Sequence, residues 1–367
     1  MMKRNILAVV IPALLAAGAV NAAEVYNKDG NKVDLYGKVT AKHRFSDNNG
    51  QDGDKSYARL GVKGETQINS DVTGYGRYEV EFAGNKSEDG SDSRDVKTRY
   101  AFAGLKIADF GTIDYGRNLG IAYDSLAYTD VLPEWGGDQS NSDNFLTGRS
   151  TGVLTYRNKD FFGLVDGLNF GLQYQGKNSK DTLNERDDRD TSNGDGWGTS
   201  LEYVSPVGVG IIANYAAVSR TVEQNAVATD SGRGKKAEAW GTGLKYDANN
   251  IYVAAIYSEL RNASYINKTV GGVHTDFADK TKIFEAVAQY NFDFGLTPSL
   301  GYVSGKAKDD TNNRNAYITK YVSLGATYAF NKNFSVYTEY DINLIKDTNA
   351  YGINDDDKVA VGVTYQF

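Results

Sequence analysis

The sequence has no cysteine, two histidines (His43 and His274), four prolines and three tryptophans among 367 residues. Without cysteine there are no disulfides, thiolate nucleophiles or zinc clusters, and two separated imidazoles leave little for metal binding or acid–base work. Most enzyme classes are thereby excluded, and neither a cofactor nor a metal site is expected. Positive charge is in deficit: 40 Lys and Arg face 47 Asp and Glu, a formal charge of −7 that does not suit a nucleic-acid binder. Beyond the N-terminus no apolar run reaches the ~20 residues of a membrane helix, which excludes helical spans but leaves membrane strands open. Glycine (40) and tyrosine (26) are plentiful instead.

Residues 1–22 begin with Lys3 and Arg4, continue through an apolar run from Ile6 to Val20, and end in Val20-Asn21-Ala22. This is the pattern of a secretory signal cut after Ala22. As a membrane anchor the run is too short and carries Pro12. Export and the absence of cysteine together suit a Gram-negative envelope protein, because small secreted eukaryotic domains usually rely on disulfides. Cleavage would leave residues 23–367 as one domain of charge −9, since no linker or composition shift divides them.

From Lys358 to Phe367, Val359, Val361, Val363, Tyr365 and Phe367 alternate with Ala360, Gly362, Thr364 and Gln366. A period of two with one apolar face is a strand. The pattern recurs in Lys32–Phe45, Ser56–Gln67, Val72–Phe82, Lys97–Ile107, Gly111–Arg117, Thr151–Asn158, Leu168–Lys177 and Trp197–Val204. It returns in Val209–Val218, Lys236–Asp247, Ile251–Leu260, Phe284–Phe292, Leu296–Lys308, Tyr321–Phe330 and Phe334–Leu344, for sixteen strands in all. Short turns such as Asn331-Lys332-Asn333 interleave with long polar stretches such as 178–196, as in an up-and-down barrel with one end outside. The acidic clusters of those stretches, Asp187-Asp188-Arg189-Asp190 and Asp355-Asp356-Asp357, read as solvated faces, with a divalent bridge to lipid headgroups as the alternative.

The apolar face is modest, mostly Val, Ala and Leu, and aromatics gather at strand ends, as expected of a lipid-facing band with girdles. A soluble propeller is the competing all-β reading, but it needs per-blade repeats that the chain lacks. Sixteen strands closed on themselves make a ring too wide to fill, so the polar inner face lines water. The fold class expected is therefore an all-β, 16-stranded antiparallel transmembrane β-barrel.

Parity sends Asp34, Tyr36, Lys38, Thr40 and Lys42 inward, opposite Val33, Leu35 and Val39. It also sends Arg59 inward opposite Leu60 and Val62, Arg99 opposite Tyr100 and Phe102, and Arg149 opposite Leu154 and Tyr156. Those cations either form one basic wall or lie scattered and solvated. Between the fifth and sixth strands, residues 118–148 form a long excursion containing Asp124, Asp130 and Pro133-Glu134-Trp135-Gly136-Gly137-Asp138. A stretch of that length without its own strand pattern is usually functional. Folded inside the barrel, its carboxylates would face the cations and set a transverse field across a narrow gap.

Across its whole length the chain closely resembles the general diffusion porins of the enteric outer membrane, the OmpF and OmpC type. The stretches that carry the resemblance are residues 23–38 (AEVYNKDGNKVDLYGK), Tyr57-Ala58-Arg59-Leu60-Gly61, Gly64-Glu65-Thr66-Gln67-Ile68-Asn69, the Pro133-to-Asp138 motif and the terminal Tyr365-Gln366-Phe367. The resemblance implies a homotrimer in the outer membrane, in contact with lipid and lipopolysaccharide. In each barrel the third loop folds inward to form an eyelet that passes ions and small hydrophilic solutes. Its basic side falls on Lys38, Arg59, Arg99 and Arg149 and its acidic side on Asp130 and Glu134. A second-loop latch falls on Glu88, reaching Arg117 and Arg149 of the adjacent chain, and Phe367 is the assembly signal.

Three positions depart from or divide that family. Leu119 stands where a Tyr is common, Trp135 replaces a Phe, and Gly148 occupies the place where the phosphate-selective relative has Lys, which with the net charge implies weak cation preference. A substrate-specific sugar channel is the alternative, but Trp135, Trp197 and Trp240 do not line up on one strand face. An outer-membrane hydrolase is another, yet His43 has lipid-facing parity.

Overall fold

The computed structural model describes residues 22–88, 96–183, 186, 190–226, 234–268 and 274–367. The expected signal segment lies outside these residues except for Ala22. Among the described residues one 18-stranded sheet dominates, and two of its members, Ala23–Lys28 and Gly53–Asp54, are short flaps on the first long strand. The other sixteen are β1 (Asn31–Phe45), β2 (Tyr57–Gln67), β3 (Val72–Ala83), β4 (Val96–Ile107), β5 (Gly111–Leu119), β6 (Arg149–Asn158), β7 (Leu168–Gln175) and β8 (Gly196–Val204). They continue as β9 (Val209–Ser219), β10 (Lys236–Ala248), β11 (Ile251–Arg261), β12 (Lys280–Tyr290), β13 (Leu296–Asp309), β14 (Arg314–Asn331), β15 (Phe334–Asn343) and β16 (Lys358–Gln366).

Each strand pairs antiparallel with its neighbours in sequence, and β16 closes the ring on β1 through Lys38↔Gln366 to Phe45↔Val359. Closure leaves no long unpaired edge. The Ala23–Lys28 flap folds back on β1 through Asp29-Gly30, both at positive φ, the two-residue turn that suits strand twist. It covers the stretch of β1 that β16 does not reach. Ala23 lies opposite Leu35, while Phe367 exchanges two backbone hydrogen bonds of 3.0 Å with Gly37.

All sixteen expected strands are present. The largest differences are at the starts of β12 and β14, where residues 280–283 and 314–320 also pair. Both segments are polar or mixed on each face, so they lack the alternation that marks a strand against lipid. They belong to hairpins that rise past the apolar band, β13 and β14 meeting in the short turn 310–313.

Leu201, Ile211 and Leu244 on the outer face are 54%, 55% and 57% exposed. Apolar side chains so exposed around a whole ring are what lipid contact requires, and the wall is a transmembrane barrel. At the short-turn rim, Phe110, Phe162 and Phe170 stack in series, as do Tyr290, Phe292 and Phe294, and Tyr328, Phe330 and Phe334. Toward the other rim run the pairs Trp197–Tyr215, Trp240–Tyr257 and Phe284–Tyr302. These are two aromatic girdles.

The principal buried cluster lies inside the barrel, between the loop 120–148 and the inner wall. Ile121, Leu126, Val131, Leu132, Phe145 and Leu146 of the loop pack on Ile212, Ile256, Ile283 and Val287 of the wall. The loop leaves and returns at one point, where Gly120 donates to Gly148 at 2.8 Å and Ala122 to Leu146 at 3.2 Å. The wall beneath it is cut back: a Cβ at Gly301 would lie 2.7 Å from a Leu132 methyl, so the bare backbone there lets the loop side chain seat without moving aside.

Candidate functional site

β1 to β4 place a ladder of charge on the inner wall. Lys38 and Arg59 are cross-strand neighbours, as are Arg59 and Glu81. Arg59 donates to Glu81 at 2.7 Å, and Arg99 donates to Glu79 at 2.7 Å and to Glu81 at 3.2 Å. Arg77 donates to Glu79 at 2.6 Å and to the Tyr36 hydroxyl at 2.7 Å. Lys38, Lys42 and Arg59 all sit over the Tyr57 ring, at 5.3, 5.2 and 4.7 Å. Arg149 on β6 donates to Ser142 of the loop at 3.0 Å and lies near enough to Arg99 and Arg59 to feel their charge. Lys38, Arg59, Arg99 and Arg149 thus converge on one region.

One parity assignment fails there. A bulge in β4 pairs Glu79 with Tyr100 but Val80 with Thr98, so Arg99 is the extra residue. Arg99 and Tyr100 therefore both face inward, and the Tyr100 ring lies 4.0 Å from the Arg77 guanidinium. Phe102, opposite the inward Arg77, shares that face. A single inserted residue shifts the face of everything after it.

Across the lumen the loop is pinned to the far wall by side chains. Tyr252 donates to the Tyr128 carbonyl at 2.6 Å and Gln289 to the Val131 carbonyl at 2.8 Å. Thr129 donates to Glu285 at 2.6 Å, the Glu134 amide to Glu339 at 2.6 Å, and the Gly136 amide to the Tyr321 hydroxyl at 3.0 Å. Trp135 is buried with Val303, Tyr321 and Ala360, under the cations of Arg44 and Lys358 at 5.6 and 4.8 Å. Its larger ring is housed in the wall.

The two loop carboxylates sit in different surroundings. Asp130 accepts from the Tyr123 hydroxyl and, among the described residues, makes no ion pair. Burial, with Asp138 adding to it, lifts its carboxyl above the ordinary value. Glu134 accepts from Lys42 at 2.8 and 3.1 Å, from Arg44 at 2.7 Å and from Tyr337 at 2.7 Å. Burial pushes its carboxyl up too, but the two cations outweigh it and hold it below the usual value. Lys38, Arg59, Arg99, Arg149, Asp130 and Glu134 all line a single cavity of about 1200 Å³, with Leu119 on the same surface.

The remaining positions lie elsewhere. Glu88 is exposed at the start of a loop whose residues 89–95 are outside those described. Arg117 donates to Asp143 at 2.7 Å, to Thr151 at 2.7 Å and to the Thr98 carbonyl at 2.8 Å, all within its own chain. Phe367 lies at the seam with β1. His43 is exposed on the outer face against Phe45, as its parity required. Of the tryptophans, Trp197 and Trp240 are on the outer belt and only Trp135 is inside, so they form no track through the lumen.

Sequence reasoning missed Arg77, Glu79, Glu81 and Lys97 in the basic wall, although Arg77, Glu79 and Glu81 share one parity on β3. It also missed the anchors Glu285, Glu339 and Tyr321, for which the only local signal is a carboxylate or hydroxyl at an inward position.

Residues 28–367 match the family described as Gram-negative porin. The chain belongs to that family. It is 56% identical to outer membrane porin F of Escherichia coli K12 and 57% identical to outer membrane porin protein OmpD of Citrobacter koseri, each over 100% of both chains. Among solved structures it is similar to Salmonella typhi OmpF in complex with daunomycin, with a TM-score of 0.85, 44% identity, and coverage of 94% of this chain and 100% of that one. An OmpT of Vibrio cholerae in trimer form shares the fold alone, at 13% identity, with a TM-score of 0.62 and coverage of 92% of this chain and 100% of that one. The protein is a general diffusion porin of the outer membrane: a closed β-barrel with an inward-folded loop, and a channel, not an enzyme.

Proposed function

We propose that the eyelet of this porin is the gap between two sets of side chains. Lys38, Arg59, Arg99 and Arg149 form its basic side, and Asp130 and Glu134, carried by the loop, form its acidic side. The observation that carries this reading is that all six line one cavity at the level where the loop crosses the lumen. Ions and small hydrophilic solutes pass by diffusion, sorted by the size of the gap and by the field across it. Reversal potentials across planar bilayers in a KCl gradient test the charge filter, and uptake of sugars of graded size tests the aperture. Selectivity that is indifferent to replacing both Asp130 and Glu134 by their amides would refute the assignment of the acidic side.

Three further assignments go with this reading. The chain works as a homotrimer, with Glu88 reaching Arg117 and Arg149 of the adjacent subunit. Support comes from a hollow of about 400 Å³ where Val62, Gly64, Gly76, Tyr78 and Ala101 face outward, with Arg77 and Phe102 of the inner face also bordering it, which suits close packing by protein. Cross-linking and native mass measurement test it. The signal is removed after Ala22, which would set the new ammonium of Ala23 beside the Phe367 carboxylate along β1; the mass of the mature chain tests it. Phe367 marks the chain for assembly in the outer membrane, where the loops meet lipopolysaccharide, and deleting Phe367 tests that role through the yield of folded barrel.

A further inference from the structure

The least expected contact of the lumen is that of Glu134. Its side chain is 2% exposed and is held by Lys42 and Arg44, themselves 13% and 21% exposed, with the Tyr337 hydroxyl on its second oxygen. Lys42 and Arg44 lie two residues apart on β1, so both project to the inner face at the height of the loop. The three groups together carry one net positive charge at a place where the loop sequence alone supplies a negative one. Asp130, by contrast, accepts a hydrogen bond from the neutral Tyr123 hydroxyl and, among the described residues, makes no ion pair.

We propose that Lys42 and Arg44 are selectivity-determining residues: they withdraw Glu134 from the ion path and reverse the sign of that corner of the eyelet, leaving Asp130 as the carboxylate that passing ions feel. The proposal rests on the eyelet reading above. A buried carboxylate paired with two cations projects little field into water, whereas an unpaired charge at the lumen surface acts over about 8 Å at physiological salt. The pair therefore weakens cation preference, and the size of that preference is set on β1 as well as on the loop.

The test is the reversal potential of the purified, reconstituted porin in a KCl gradient. With Lys42→Gln/Arg44→Gln, the ratio of potassium to chloride permeability rises about twofold or more, the effect of a unit charge ~8 Å away across water. The rise shrinks as the salt is raised. The charge-conserving exchange Lys42→Arg/Arg44→Lys keeps the original ratio, which separates charge from loop packing. An unchanged or lower ratio in the Gln pair, or an equal change in the charge-conserving pair, overturns the proposal while conductance still upholds the channel. Absence of conductance in the unaltered protein would instead overturn the eyelet reading and this proposal with it.

Discussion

Each wall strand is fixed to two neighbours by a backbone ladder, whereas among the described residues the loop 120–148 makes backbone-to-backbone bonds only at its base and within its own turns. The loop depends instead on side chains from β11, β12, β14 and β15 and on the apolar layer beneath it. The wall is therefore insensitive to most side chains and intolerant of backbone misfit, and the loop is the reverse. Stability resides in the backbone ladder of the wall, whereas permeation is set by side chains that the loop and the inner wall both supply.

The most damaging way to probe that separation is a wall glycine. Gly116 has φ +142°, and a side chain there would overlap the Ala101 carbonyl oxygen. Gly116→Val should cost about 3 kcal/mol or more and remove most of the folded barrel, which the far-UV circular dichroism of the refolded variant checks. A smaller effect on the barrel itself is expected from Glu285→Val/Glu339→Val, which strips acceptors from Thr129, Glu134 and Trp135 of the loop and leaves the wall ladder intact. Because those losses fall on the loop, single-channel conductance should rise while the melting temperature stays near that of the parent. A fall in melting as large as that of Gly116→Val would break the comparison.

The pH response sharpens it further. Asp130 has a carboxyl pKa raised by burial and Glu134 one held down by Lys42 and Arg44, so Asp130 protonates above its ordinary value and Glu134 below its own. On acidification the potassium-to-chloride permeability ratio should therefore begin to fall above the ordinary aspartate value, and Asp130→Asn should remove that upper part of the curve. Reversal potentials measured across the pH range check it. The smallest change is Trp135→Phe, at about 1 kcal/mol of local packing. Conductance should shift slightly and the melting temperature hardly at all.

The wall was legible because lipid on one side and water on the other impose a period of two on every strand. That signal weakened where lipid ends, at residues 280–283 and 314–320, and it misled at the β4 bulge, where Arg99 took Tyr100 and Phe102 to the inner face. Lys42 was placed in the lumen by parity, but its partner Glu134 lies on a loop about ninety residues later. The same distance problem hid Glu285 and Glu339, whose partners Thr129 and Glu134 come together with them only once the barrel has closed.

The absence of cysteine supplies the most direct test of a water-filled channel throttled by an inward loop. Asp130→Cys and Leu172→Cys each introduce a single thiol, one on the loop and one on the lipid face, where Leu172 is 51% exposed. A charged, membrane-impermeant thiol reagent added to the reconstituted channel should react with Cys at 130 and cut the current in discrete steps, while leaving the channel with Cys at 172 unchanged. Current through the 130 variant that ignores the reagent would place the loop outside the ion path and contradict the account.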